Sequence, residues 1–167
     1  MVVETKSQNT NLDLNRCDLY QKAEEGDGEW ATFKCRGYAG ITVYVTEADL
    51  RFALGYGKGG LNQASMRQFL APFNTVGKTL EWRLHNGRVV ATILRYYTET
   101  GTGGRKGQIL VVSKVSKGEA CHVAYVDALA NTNANELAQQ AADNLAPNFN
   151  CKDQMPVHMG ERGVSPF

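Results

Sequence analysis

No apolar run in these 167 residues can cross a bilayer: the longest, around ITVYV and QILVV, fall far below the roughly 18 residues that a spanning helix needs. The start of the chain carries no export-signal core either, so no membrane span is expected. Charge of one sign is also lacking, with 18 Lys and Arg against 17 Asp and Glu and no basic run. A nucleic-acid or anionic-membrane binder shows a basic patch, so nucleic acid is not expected as a partner. Histidine is scarce, at three residues, and none stands at zinc-finger spacing. Cys-x-x-Cys, HExxH, Ser-His-Asp and paired-acid patterns are missing as well. Neither a metal nor a cofactor is expected. The glycine clusters GYGKGG and GTGGRKG do not match G-x-x-x-x-G-K-[ST], and neither opens a helix at the required offset. They read as hairpin-end loops.

What is present is a chain of one-domain length with 43% hydrophobic residues, enough to bury a core and fold as a monomer. Its first eleven residues, MVVETKSQNTN, are polar and unpatterned. They fit a disordered terminus or, the preferred expectation, a mature exported chain that restarts at a new Met. Three short strands are predicted over Trp30 to Arg36, Ile41 to Val45 and Leu50 to Tyr56. Thr46 with Asp49 offers a short capped helix as the alternative to the last of these. In LEWRLHNGRVVATILRYY, Asn86 and Gly87 separate two alternating runs, the signature of a two-residue hairpin turn. Plain alternation from that turn pairs Leu84 with Val89, Trp82 with Ala91 and Leu80 with Ile93 on the core face. It continues Arg95 into the same buried register. A second hairpin is predicted to turn near Lys117 and Gly118.

The four cysteines explain the last third of the chain. Cys121 to Asp127 reads as a strand advancing roughly 20 Å. Asn133 and Glu136 form a capping box for a helix over about Ala134 to Ala146, which returns roughly the same distance before Pro147. Cys151 therefore falls near Cys121, leaving Cys17 for Cys35. A metal site or reactive thiol is the competing reading, and the spacing gives it no support. Paired cysteines imply a periplasmic or secreted protein.

The candidate functional residues are few. Arg95, Tyr96 and Tyr97 form the best candidate recognition patch, because tyrosine and arginine are favoured at interface centres. In the core register Arg95 needs a carboxylate or carbonyl partner, with Asp49 or Asp127 as the suppliers. Arg51, His122 and Asp127 complete the candidate binding set. Alternation sends Cys121, Val123, Tyr125 and Asp127 to one face and His122 to the other, which disfavours a Cys-His dyad. His122 reads as a surface or interstrand residue, and Asp127 as the strand's end satisfying backbone donors in the following turn. Glu81 and Arg83 read as a solvated charge pattern.

CRGYAGITVYVTEADLR, PFNTVGKTLEWR and CHVAYVDALANTNANELAQQAAD together resemble segments of a family of small, uncharacterised secreted bacterial proteins with four cysteines. The resemblance runs from Cys17 to Cys151, implies export through a removable signal, and supplies no catalytic residue. The expected architecture is α+β: an antiparallel sheet of about seven strands, largely a meander, with one C-terminal helix packed on it. Residues 1–14 and the tail 153–167 are expected to be extended or disordered around one domain at 15–152. The expected function is a binding module for a protein or envelope component, the alternative a small hydrolase-like enzyme with a dispersed active site.

Overall fold

The computed structural model describes residues 2–101 and 103–167, which leaves Thr102 of the GTGGRKG loop outside the described residues. In chain order the elements are β1 (Thr5–Asn11), β2 (Asp18–Lys22), β3 (Trp30–Arg36), β4 (Thr42–Ala48), β5 (Arg51–Tyr56) and β6 (Phe73–His85). They continue with β7 (Arg88–Glu99), β8 (Lys106–Ser116), β9 (Glu119–Asp127), α1 (Ala134–Asn144) and β10 (Val157–Met159). The expected single antiparallel meander is corrected: a six-stranded sheet runs β1-β6-β7-β8-β9-β10 and a separate four-stranded sheet runs β2-β3-β4-β5. β10 lies parallel to β9, so the larger sheet is mixed. The α+β class stands, with helix, large sheet and small sheet forming three layers.

Burial on both faces of the large sheet dictates that layering. Val43, Val45, Leu54 and Tyr56 of the small sheet pack against Leu80, Trp82, Leu94, Tyr96, Ile109 and Val111. On the other face Ala134, Ala138, Ala141 and Ala142 of α1 lie against Ala91, Ile93, Leu110, Val112 and Val123. Alanine keeps the helix close to the sheet, and Ile109 to Val112 are all buried because β8 has no solvent face.

Two bulges set which side chains face which layer. The Asn86-Gly87 turn holds the pairs His85 with Arg88 and Leu84 with Val89, as the sequence predicts. The register then slips, so that Arg83 opposes Ala91, Trp82 opposes Thr92 and Leu80 opposes Leu94. A bulge adds one residue to one strand and turns every later side chain over. Arg95 therefore leaves the inter-sheet core, and Tyr96 enters it. A second bulge, between Val112 and Ser113 in the β8 to β9 pairing, leaves Val123 unpaired and brings His122 and Tyr125 to one side. The predicted separation of these two is corrected by that extra residue.

The disulfides join Cys17 to Cys35 and Cys121 to Cys151, with Cα atoms 4.6 and 5.8 Å apart. Asn133 makes no side-chain capping bond, contrary to the capping-box expectation, and α1 stops at Asn144 before a 3-10 turn over Ala146–Asn148. Both terminal segments contain paired strands. The polar β1 is held through side chains: Trp82 Nε1 donates to Thr10 Oγ1 at 2.8 Å, and Ser7 bonds Glu81. No helix among the described residues is long and apolar enough to cross a membrane.

Candidate functional site

At one end of the layers β6 and β8 begin, β7 and β9 finish, and the β4 to β5 turn closes over them. These termini enclose a groove of about 410 Å³ whose apolar lining is Leu50, Phe73, Tyr97 and Leu129. Three of these project outward, with Leu50 59%, Tyr97 45% and Leu129 58% exposed. A second depression, on the other flank of Leu50, is lined by Trp30 and shares Glu47. Among the described residues no hydrogen bond or ion pair engages the Glu47 carboxylate. Thr98 Oγ1, at the groove wall, is buried and also lacks a partner among the described residues.

The rim is built with backbone strain. Asp49 and Leu50 occupy the two central positions of a tight hairpin turn, at φ +52° and +61°. Asp tolerates that region, but a leucine there costs on the order of 1 kcal/mol or more that glycine would not. Arg51 props the turn: its guanidinium donates to Ala71 O at 2.7 Å and to Asp49 O and Oδ2 at 2.9 and 3.0 Å. The same group lies 4.8 Å over the Phe73 ring. Arg51 is thus a support for the rim, and Leu50 is the residue displayed.

The other sequence candidates separate. Tyr97 lines the groove, whereas Tyr96 is 2% exposed in the inter-sheet core, where burial raises its hydroxyl pKa far above the usual range. Arg95 stands beside the groove, half-buried, and donates to Gln108 Oε1 at 2.9 Å. Its partner is a side-chain carbonyl, neither Asp49 nor Asp127. His122 is not a surface residue but 2% exposed; its backbone N–H donates to Gln68 Oε1 at 2.8 Å and its Nδ1 meets the Tyr125 hydroxyl at 2.8 Å. Burial lowers its pKa to about 4, so it is neutral at pH 7. Asp127 accepts from the Leu129 and Ala130 backbone N–H groups, the turn role read from the sequence, and also from Ser165 Oγ and N–H. Burial raises its pKa, but those hydrogen bonds outweigh it and hold the carboxyl below its usual value.

Glu81 and Arg83 are not a solvated pattern. Arg83 grips both Asp143 oxygens at 2.8 and 2.9 Å, and His85 Nε2 lies 2.8 Å from Oδ1. Asn135 and Gln139 donate to Glu81, so this network fastens α1 to β6. The His85–Asp143 pair lies within this helix-to-strand network, and among the described residues no hydroxyl or thiol is hydrogen-bonded to the His85 imidazole. Ser7 donates to Glu81 and accepts from Arg83, while Asp143 accepts from Arg83 at both oxygens and meets His85 at one of them. Burial raises the Asp143 pKa, but Arg83 and His85 together lower it below the usual value.

Among the described residues no three His, Cys, Asp or Glu side chains gather to hold a metal ion. Of the residues singled out in the sequence, Tyr97 lines this groove and Arg95 borders the adjoining pocket, whereas Leu50, Phe73, Leu129 and Glu47 carried no such expectation. Leu50 was legible in principle as an apolar residue next to Asp49 at the end of an alternating strand. The chain matches no protein-family model, no curated protein and no solved structure.

Proposed function

We propose that the protein is an exported, disulfide-stapled binding module that holds an apolar segment of a protein or cell-envelope component in the groove around Leu50, Tyr97 and Leu129. The observation that carries this reading is the strained turn that displays Leu50 opposite two other exposed apolar side chains. Isolated exposed apolar residues are ordinary, but several around one concave site mark a place of contact. The Glu47 carboxylate, at the groove wall and with no hydrogen-bond or ion-pair partner among the described residues, supplies a polar group to orient what binds. The two disulfides support an oxidising compartment, as does the resemblance to secreted bacterial proteins.

The test is to select displayed peptides on the folded protein and map the tightest by methyl and amide NMR. The reading expects saturable shifts at Leu50, Leu129 and Tyr97. Shifts confined to another face of the molecule would refute it.

A further inference from the structure

Beside the groove lies a separate pocket of about 330 Å³, bounded by Lys78, Glu81, Arg95 and Tyr97. It exists because of a third irregularity: between the pairs Val76 with Tyr96 and Leu80 with Leu94, three residues of β6 face a single residue of β7. Those three are Gly77, Lys78 and Thr79, and the one they face is Arg95. Bulges of this kind re-aim side chains beside binding sites. A Cβ on Gly77 would meet Arg95 O, Arg95 Cβ and Tyr97 Cε2 at 3.5, 3.6 and 3.8 Å, ordinary contact distances, so a larger side chain can be placed there at the pocket wall. The main chain at Lys78 is fixed by its carbonyl, which accepts from Leu12 N–H at 2.7 Å.

Arg95 uses Nη1 on Gln108, and that bond orients the guanidinium while leaving its other N–H donors without a hydrogen-bond partner among the described residues. A planar fork of donors matches the two oxygens of a carboxylate. Lys78 adds positive charge to the same pocket. Glu81 also borders it, but Ser7, Asn135 and Gln139 already occupy that carboxylate. One acid beside two bases leaves a field suited to a single negative charge and less to a dianion. Tyr97 borders both the pocket and the groove, so one ligand can span them.

We propose that the Arg95 pocket is a carboxylate subsite, gripping an anionic group of the ligand whose apolar part lies in the groove. The proposal rests on the groove being a ligand site. Its test compares 3-phenylpropionate, 3-phenylpropionamide and inorganic phosphate by NMR. The Arg95 Nε–H signal reports the pocket, and the Leu50 and Leu129 methyls report the groove. The carboxylate should shift the Arg95 signal saturably and the amide should not. Arg95→Gln should weaken phenylpropionate at least tenfold, with partial recovery in Arg95→Lys. Gly77→Val, which fills the pocket without changing charge, should weaken it comparably. Methyl shifts with both compounds and none at Arg95 would overturn the subsite while leaving the groove standing. Phosphate binding as strongly as phenylpropionate would overturn the carboxylate assignment, and no shift at either place would overturn both readings.

Discussion

The Nδ1 atom of His122 lies 2.8 Å from the hydroxyl of Tyr125, three residues further along the same strand. An odd separation puts side chains on opposite faces of a regular strand, so the contact depends on the unpaired Val123. The bulge drives the imidazole into the protein, and burial pushes its pKa from 6.5 to about 4. As pH falls from about 6.5 to about 4, the unfolded chain takes up a proton that the folded chain refuses. Stability should therefore fall across that window and level off below it, by up to about 3 kcal/mol from this residue. His122→Gln should flatten that part of the profile in melts between pH 7 and pH 4.5. Equal slopes for the two proteins would show His122 to be solvated.

The sulfur links are worth comparable amounts. Closures spanning 18 and 30 residues contribute roughly 3 to 4 kcal/mol each in the loop-entropy picture. Reduction should lower the melting temperature by well over ten degrees. Replacing Cys121 and Cys151 together by Ser should account for about half of that loss, and a melt indifferent to reductant would contradict the structural role.

Leu50 should trade stability against binding. Leu50→Gly removes the positive-φ strain at the cost of a more flexible unfolded chain, for a net gain of about 0.5 kcal/mol. The same change deletes an exposed apolar side chain from the rim. Denaturant unfolding should show a raised midpoint while affinity for groove-selected peptides falls; a lowered midpoint would show that the turn is not strained.

Asp143→Ala should strip Arg83 of its partner in a mostly buried place, at a cost of about 1 to 3 kcal/mol. Hydrogen exchange should then quicken across Ala134–Asn144 before it quickens in β8. Uniform protection would mean that the alanine face alone seats the helix.

Arg95 shows how legible the chain was and where reading stopped. Alternation and the Asn86-Gly87 turn located both strands of the hairpin and its first two pairs. They could not reveal the slip after Leu84, because Ala91 to Leu94 are buried on both faces and a phase shift leaves no mark on such a run, and so Arg95 and Tyr96 exchanged faces. Arg95→Ala is therefore expected to be within about 0.5 kcal/mol of neutral in stability, as for a half-solvated residue. The disulfide pairing was readable because strand rise and helix rise are fixed lengths. The division into two sheets was not, since alternation identifies a half-buried strand without naming its neighbour. The run ILVV within β8 did hold a clue: continuous apolar residues signal burial on both faces and hence a third layer. The polar β1 was invisible because hydrogen bonds to Glu81, Arg83 and Trp82 take the place of apolar anchors.

The affinity of groove-selected peptides for the double variant Leu50→Asp, Leu129→Asp, measured beside the wild type, tests the binding reading most directly. Both side chains are exposed, so the fold and melting temperature should change little while affinity drops at least tenfold. Peptides that bind the double variant as tightly as the wild type would contradict the assignment of this groove as the ligand site.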